Sequence, residues 1–415
     1  MRGEIIAIGD ELTSGRIVNT TSGFAARQLH ESGYEIYAMH TIGDTPQLIG
    51  EALKRAIGRV DFVIVTGGLG ATDDDLTNLA VSHALERPTV PNLEILSIIR
   101  AHLDEISASP VSQLEKLAWL PKGADPFDPQ ARMAGYRLIH QKKPIFFLPG
   151  IPEQMHRIMM DHVVPQLATW QQEQRFSTHQ RLFKICGLNE MQVNEIMSSI
   201  PVGDSIRIGY YEVWPEVHLS VIVRDVPENN PEQQLEEVST TIEQALGEAI
   251  FAIDQQTMAS VVGALLSRAG LTLAVAESCT GGLISSQITA VSGSSEYYLG
   301  GVTSYANAMK EKFLHVDKVT LEKYGAVSSQ VAAAMAWGMR ETSKADIAIS
   351  VTGIAGPGGG SDEKPVGTVF IGFSSRWEEK IEQFLFRGNR QQIQAMTAQI
   401  ALDQVRRFII QQKKL

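Results

Sequence analysis

The sequence predicts the α/β fold class, arranged as a doubly wound α/β domain, a small α+β domain and a second α/β domain. Three observations carry that prediction. Short β-branched runs that stop at glycine, such as Phe62-Val63-Ile64-Val65 before Thr66-Gly67-Gly68, alternate with segments of helical apolar spacing, the pattern of parallel strands buried on both faces. Near Gln180 the order changes to strand, helix, two strands and helix. After Thr257 the alternation resumes.

Taken in order, Glu4 to Ile8 is an apolar run ending at Gly9. Asn19 to Glu31 carries Phe24, Ala25 and Leu29 at helical spacing, and Tyr34 to Thr41 predicts a second strand. Asp44 is placed to cap a helix bearing Leu48, Ile49, Leu53 and Ile57. Ile145 to Leu148 before Pro149-Gly150 repeats the strand-to-glycine pattern, and strand, helix, strand in such repetition gives a doubly wound sheet. In the middle, Leu182 to Cys186 and Ser205 to Arg224 predict strands, the latter a pair joined near Trp214-Pro215. Helices are predicted over Asn189 to Ser199 and Glu232 to Ala249, with Val226 to Pro231 a loop inside the unit. The last unit opens with a helix over Val261 to Ala269 and a strand over Leu271 to Ala276. Strands follow over Gly301 to Tyr305, Ile347 to Thr352, Val366 to Phe373 and Ile381 to Phe386, with helices over Ser329 to Thr342 and Arg390 to Gln411. The expected domains are 1–172, 176–254 and 257–415.

Composition narrows the function classes. Hydrophobic residues at 44% and charged residues at 20% are a globular balance. A net charge of -11, with no long basic run, removes the electrostatic footprint of nucleic-acid binding. No apolar stretch reaches the roughly 18 residues that would span a bilayer, so no membrane partner is expected. Met1-Arg2-Gly3-Glu4 runs into a strand without a signal-peptide pattern, and the cytoplasm is the expected location. Cys186 and Cys279 are the only cysteines, too few for a disulfide scaffold or a cysteine-based zinc site.

The chemistry-bearing residues concentrate in the last unit. Ala276-Glu277-Ser278-Cys279-Thr280-Gly281-Gly282 lies at the carboxyl end of a predicted strand, just before a helix. Ligands of open α/β sheets bind at that edge, where helix N-termini offer free N–H groups. Gly293-Ser294-Ser295 is a small-residue turn, Gly300 to Tyr305 precedes Lys310, and Thr352-Gly353-Ile354-Ala355-Gly356-Pro357 closes another strand. Taken singly, Gly-Gly marks a turn, a lone Lys is a solvated charge, and Cys279 is an inert buried thiol. Spacing alone therefore supplies a site and no reaction.

These segments, together with Thr303-Ser304-Tyr305-Ala306-Asn307, Gly325-Ala326-Val327-Ser328 and Lys364-Pro365-Val366-Gly367-Thr368-Val369, closely resemble the C-terminal domain of the CinA family. That family comprises nicotinamide mononucleotide deamidases, so the resemblance implies a Ser/Lys amidohydrolase that needs no metal or other cofactor. It implies Lys310 as the base, which must be neutral to serve. For the nucleophile the first choice is Ser295, because the family's dyad serine is assigned to the Gly-Ser-Ser turn; Ser278 is the rival. Tyr305, Thr352 and Arg390 match further polar positions, for substrate orientation, phosphate contact and oxyanion support. Ser294 and Gly353 are counted with the substrate-binding residues. The 5′-phosphate is expected over the helix start at Thr280, Gly281 and Gly282 or over the Gly356 loop.

Gly9-Asp10-Glu11-Leu12, Gly15 to Thr20 and Thr66-Gly67-Gly68-Leu69-Gly70-Ala71-Thr72-Asp73-Asp74-Asp75 resemble the N-terminal domain of the same family. Its fold is MoaB/Mog-like, that of molybdopterin-binding proteins, and it is associated with a metal-dependent ADP-ribose pyrophosphatase. The resemblance implies a site at Glu11, Asn19, Gly67, Gly68, Thr72 and Asp74. There the glycine turn would cradle a diphosphate, and Asp74 with Asp75 would hold a divalent cation (Mg, Mn or Co, with K+ alongside). Taken alone, three Asp form a favourable first helical turn. The chain departs from the family at Ala71, Asp73 and Ile151. The middle unit is similar to the family's KH-like domain but lacks a Gly-x-x-Gly nucleic-acid loop, so it is expected to act as a spacer or in a homodimer. The competing readings are a molybdopterin-type binding or adenylyl-transfer protein with a non-catalytic C-terminal domain, and a scaffold tied to DNA uptake, which the acidity disfavours.

Overall fold

In the computed structural model, residues 1–106, 114–128, 135–171, 178–203, 205–224 and 230–412 are described. The chain divides into two compact units, Met1–His179 with Arg224–Pro227, and Gln180–Val223 with Glu228–Leu415.

The first unit contains strands β1 (Arg2–Ile8), β2 (Glu35–Ile42), β3 (Phe62–Thr66), β4 (Thr89–Pro91), β5 (Trp119–Pro121), β6 (Asp125–Pro126), β7 (Tyr136–His140) and β8 (Lys143–Leu148). Its helices are α1 (Asp10–Thr13), α2 (Thr20–Glu31), α3 (Pro46–Arg59), α4 (Thr77–Ala84), α5 (Leu93–Ile106), α6 (Pro152–Ile158) and α7 (Val164–Gln171). The main sheet has the order β2-β1-β3-β8-β7-β6. Its first four strands are parallel, while β7 pairs antiparallel with β8 and β6 antiparallel with β7. Strand alternation explains why both faces are apolar. Ile6, Ile8, Val63 and Val65 pack with Ile49 and Leu53 of α3 and Val81 of α4. Ile5, Ile64, Phe146 and Leu148 pack on the other face with Leu29 of α2 and Met155 of α6. The predicted cap at Asp44 is corrected. Helix α3 starts after Thr45, and Asp44 instead accepts a hydrogen bond from the Asp10 N–H at 2.8 Å while its own N–H donates to the Asp10 carboxylate at 3.2 Å. Asp44 thereby ties the β2–α3 connection to the start of α1.

The second unit opens with a four-stranded sheet of order β10-β11-β9-β12, formed by β9 (Thr178–Ile185), β10 (Ile206–Val213), β11 (Glu216–Arg224) and β12 (Ile250–Ile253). Helices α8 (Glu190–Ser198) and α9 (Pro231–Leu246) cover it. The strand β12 was not anticipated from the sequence, where it is too short to stand out from the helix before it.

The same unit continues with α10 (Met258–Ala269), β13 (Leu273–Glu277), α11 (Leu283–Thr289), β14 (Tyr298–Thr303), α12 (Asn307–Leu314), α13 (Lys318–Tyr324), α14 (Ser329–Ser343), β15 (Ile347–Gly353), β16 (Thr368–Ser375), β17 (Glu379–Leu385) and α15 (Arg390–Gln412). The sheet order is β14-β13-β15-β16-β17, parallel through β14, β13 and β15 and antiparallel beyond. Leu273, Val275, Ile349 and Val351 face α10 and α15. Ala274, Ala276 and Ala348 face Leu314 of α12 and Met335 of α14, small residues that let these helices approach the sheet closely. Among the described residues no helix is long and apolar enough to cross a membrane.

Candidate active site

The site is built where β13 ends. Glu277 is the last residue of that strand, and its side chain is 0% exposed. One carboxylate oxygen accepts from the Thr280 hydroxyl at 2.6 Å and from the N–H groups of Gly282 and Ile284; the other accepts from the N–H and hydroxyl of Ser285. An acid that folds back onto the start of α11 fixes the path of the intervening Ser278-Cys279-Thr280. Gly281 and Gly282 both take positive φ, a conformation open to glycine at little cost. This arrangement corrects the expected phosphate position. The N–H groups of Gly282, Ile284 and Ser285 at the start of α11 already donate to the protein's own Glu277, which leaves that helix start without these donors for a phosphate.

Directly after Glu277, Ser278 is anchored by its N–H to Val351 O at 3.0 Å. Its hydroxyl lies 3.0 Å from Lys310 Nζ. Lys310 comes from α12 and is 1% exposed. Its amine donates as well to Ser304 O at 2.6 Å and Tyr305 O at 3.4 Å. Desolvation in this pocket pushes the Lys310 ammonium down from 10.5 to about 8. Burial also pushes the neighbouring Cys279 thiol up to about 12, which makes it a poor nucleophile beside the serine.

Around this pair stand several of the other expected residues. The exposed Arg390, first residue of α15, donates from Nη1 to Gly356 O at 2.9 Å and from Nη2 to the Tyr305 hydroxyl at 3.0 Å. Tyr305 is 62% exposed, so the pair sits at the mouth of the site. Thr352 is buried at the end of β15 and donates to Ala326 O at 2.7 Å. Gly353 follows it, and a Cβ there would come within 2.8 Å of Thr368 O, so the β15–β16 approach admits only glycine.

Ser295 and Ser294 are not brought to Lys310, which corrects the first choice of nucleophile. Both lie in the turn before β14, exposed or half-exposed. The register pairs Tyr298 with Leu273 at the start of β13 and Thr303 with Glu277 at its end. Parallel pairing therefore puts the Gly-Ser-Ser turn at the amino edge of the sheet and Ser278 at the carboxyl edge, on the order of 13 Å away along the strands. Sequence reasoning also missed Glu277 and Gln394, whose side-chain amide donates to Cys279 O at 2.7 Å. Glu277 had a signal, an acid closing an otherwise apolar strand; Gln394 had none.

The first unit carries a second site. A cavity of about 650 Å³ at the carboxyl edge of its sheet is lined by residues that include Glu11, Asn19, Asp44, Gly67, Gly68, Asp74, Asp75 and Gly150. Gly67 has φ +102, and a Cβ there would meet Ile8 O at 2.1 Å. The turn is held by the Thr77 hydroxyl, which donates to Gly67 O at 3.0 Å. Asn19 is spent on capping α2 and on Thr41. The N–H and hydroxyl of Thr72 both donate to Asp75. Burial, then the nearby charges of Asp10, Glu11 and Asp74, hold the Asp44 carboxyl above its usual range. Such oxygen donors suit a hard divalent cation. Among the described residues no three His, Cys, Asp or Glu gather as ligands, and a cation held by Asp74 and Asp75 would complete its shell with substrate phosphates and water.

The fold and these two edges define a mixed α/β protein with a glycine-turn cavity in one unit and a buried serine–lysine pair in the other. Comparison with known proteins makes the assignment specific. Residues 4–169 match the probable molybdopterin binding domain, 180–252 the damage-inducible protein CinA KH domain and 255–409 the CinA C-terminal domain. A CinA-like protein of Desulfotalea psychrophila is 58% identical over 98% of this chain and 99% of its own. One from Citrifermentans bemidjiense is 37% identical over 100% and 99%. Among solved structures, the competence/damage inducible protein CihA of Agrobacterium tumefaciens is 39% identical, covers 35% of this chain and 90% of its own, and has a TM-score of 0.34. The chain belongs to the CinA family.

Proposed function

We propose that the second unit hydrolyses the carboxamide of nicotinamide mononucleotide to nicotinate mononucleotide and ammonia, with Ser278 as nucleophile and Lys310 as base. The observation that carries this reading is the 3.0 Å contact between Lys310 Nζ and Ser278 Oγ inside a pocket that lowers the lysine pKa to about 8. With Lys310 neutral, Ser278 gives its proton to Nζ as Oγ attacks the carboxamide carbon. The C–N bond then breaks, the amide nitrogen takes the proton from Nζ and leaves as ammonia, and an ester to Ser278 remains. Water, deprotonated by the same amine, attacks that ester, and the proton returns to Ser278 as the acid departs. Arg390, exposed at the mouth with Tyr305 oriented by its guanidinium, is assigned the 5′-phosphate, for which a planar fork of donors is suited.

The test is ammonia release by the full chain in EDTA. Ser278→Ala and Lys310→Ala are expected to lose at least about a thousandfold in kcat, while Ser295→Ala stays within about twofold of the wild type. Full activity in Ser278→Ala would overturn the assignment. Arg390→Ala is expected to raise KM for the mononucleotide and to leave nicotinamide riboside, which lacks the phosphate, unaffected.

A second reading concerns the first unit. Its cavity and the Gly67–Gly68 turn support binding of a diphosphate-bearing nucleotide such as ADP-ribose. Calorimetric titration of ADP-ribose into the full chain, with and without Mg2+ or Mn2+, tests it. No heat in either condition would remove it.

A further inference from the structure

Helix α15 is 23 residues long and serves two neighbours. Successive helical residues turn by about 100°, so Arg390 and Gln394 share one face, while Gln392, Gln399 and Arg406, each seven residues from the next, share the opposite one. The first face reaches the amidase site: Arg390 touches Tyr305 and Gly356, and Gln394 holds Cys279 O. On the second face every one of the three residues meets the small α+β domain. The Trp214 indole N–H donates to Gln392 O at 3.2 Å, the Gln399 amide donates to Glu216 at 3.2 Å, and the Arg406 guanidinium donates to Glu248 O at 2.6 Å. Cys186, Phe251 and Ala252 of the small domain also enter the same hydrophobic core as Ile393, Leu402, Val405 and Phe408 of α15.

The contact at Gln392 is the one closest to the chemistry. Gln392 closes a capping box with Asn389: the Asn389 N–H donates to the Gln392 side chain at 2.8 Å, and the Gln392 N–H donates to the Asn389 side chain at 2.9 Å. Arg390 lies between these two residues. Trp214 and Glu216 lie at the turn joining β10 and β11, so this hairpin tip grips α15 from behind at its first and third turns.

We propose that the β10–β11 hairpin is a positioning element for the amidase site: Trp214, with Glu216, fixes the start of α15 and so sets where Arg390 meets the anionic end of the substrate. The small domain then contributes to substrate affinity without touching the reacting atoms. This rests on the assignment of Arg390 to the phosphate, and the experiment separates the two. In the full chain, Trp214→Phe keeps an aromatic ring of smaller size but removes the N–H, and Gln399→Ala removes the second grip. Both are expected to raise KM for nicotinamide mononucleotide about three- to tenfold with kcat within twofold, and to leave kcat/KM for the riboside unchanged. Trp214→Phe added to Arg390→Ala is expected to cost nothing further, because both act through one contact. Hydrogen exchange gives a readout independent of turnover: backbone amides in the first two turns of α15 are expected to exchange several-fold faster in Trp214→Phe, with protection of β13 unchanged. Unaltered exchange at the α15 start overturns the proposal whatever the activity. An equal loss on mononucleotide and riboside, or an effect additive with Arg390→Ala, overturns it too. If the wild type shows no turnover of the mononucleotide, the proposed reaction fails, and the exchange measurement alone decides the positioning role.

Discussion

Lys310 shows how a single side chain is tuned. It is buried, and among the described residues its amine meets the Ser278 hydroxyl and two backbone carbonyls, with no carboxylate hydrogen-bonded to it. Burial therefore disfavours the ammonium, and a depression from 10.5 to about 8 corresponds to about 3 kcal/mol against the charged form. Two outcomes follow. A base must be unprotonated, so kcat/KM for the amide should rise with pH and level off above about 8; a profile flat from pH 6 to 9 would exclude Lys310 as the base. The same burial bears on stability. Between about 8 and 10.5 the unfolded chain holds a proton here that the folded chain has released, so the stability of the wild type rises with pH across that window. The penalty is present in full below about pH 8. Replacing the amine by an apolar side chain of similar length, Lys310→Met, should thus give an inactive protein with an equal or higher Tm at pH 7. That advantage over the wild type should shrink toward pH 10.5, as calorimetry at the two pH values would show.

At the scale of elements, the turn from β13 into α11 depends on a charge that never reaches solvent. Glu277 satisfies backbone N–H groups that the first turn of any helix leaves without partners. It does so while standing one residue before Ser278, so the anchor of the turn and the position of the nucleophile are coupled. Glu277→Gln keeps the shape but replaces an acceptor by an amide that faces donors. The expected cost is about 2–4 kcal/mol of stability, together with a lower kcat. A Tm within a degree of the wild type would show that the carboxylate is dispensable. The glycine turn of the first unit is a parallel case: Gly67→Ala forces a Cβ against Ile8 O, 2.1 Å away, and should destabilise that unit or displace the turn, visible as loss of ADP-ribose binding heat.

For the second unit as a whole, α15 is the shared element, and its buried charges hold it in place. Arg406 is almost fully buried, donating to Asp403 at 2.6 Å, and Asp403 also accepts from Arg407 at 2.6 Å. Removing the carboxylate leaves a buried guanidinium without its counter-charge, which costs about 3–5 kcal/mol. Asp403→Ala is therefore expected to lower the Tm of the second unit by several degrees. Calorimetry of the full chain should show this in one transition while the transition of the first unit stays put. A shift of both transitions together would mean that the two units unfold as one.

The sequence by itself determined the elements and the ingredients. Hydrophobic periodicity marked β1, β3 and β8 of the first sheet because burial on two faces demands continuous apolar runs, while the short antiparallel β6 and β7 carry no such run. Glycines at strand ends marked both sites, Gly67 because a Cβ would strike Ile8 O and Gly281 and Gly282 because they take positive φ. The sequence motifs carry both Lys310 and Ser278, but the choice between Ser278 and Ser295 is not legible in them, because it depends on which edge of the sheet each serine occupies. Parallel register decides that, and register comes from pairing between segments distant in the chain. The same holds for Asp44, where Asp10 wins a hydrogen bond over the helix start beside it, and for the grip of Trp214 on Gln392. Local pattern is written in neighbouring residues. Which side chain finally meets which is set by tertiary packing, where long-range contacts compete with local preference and here outweigh it.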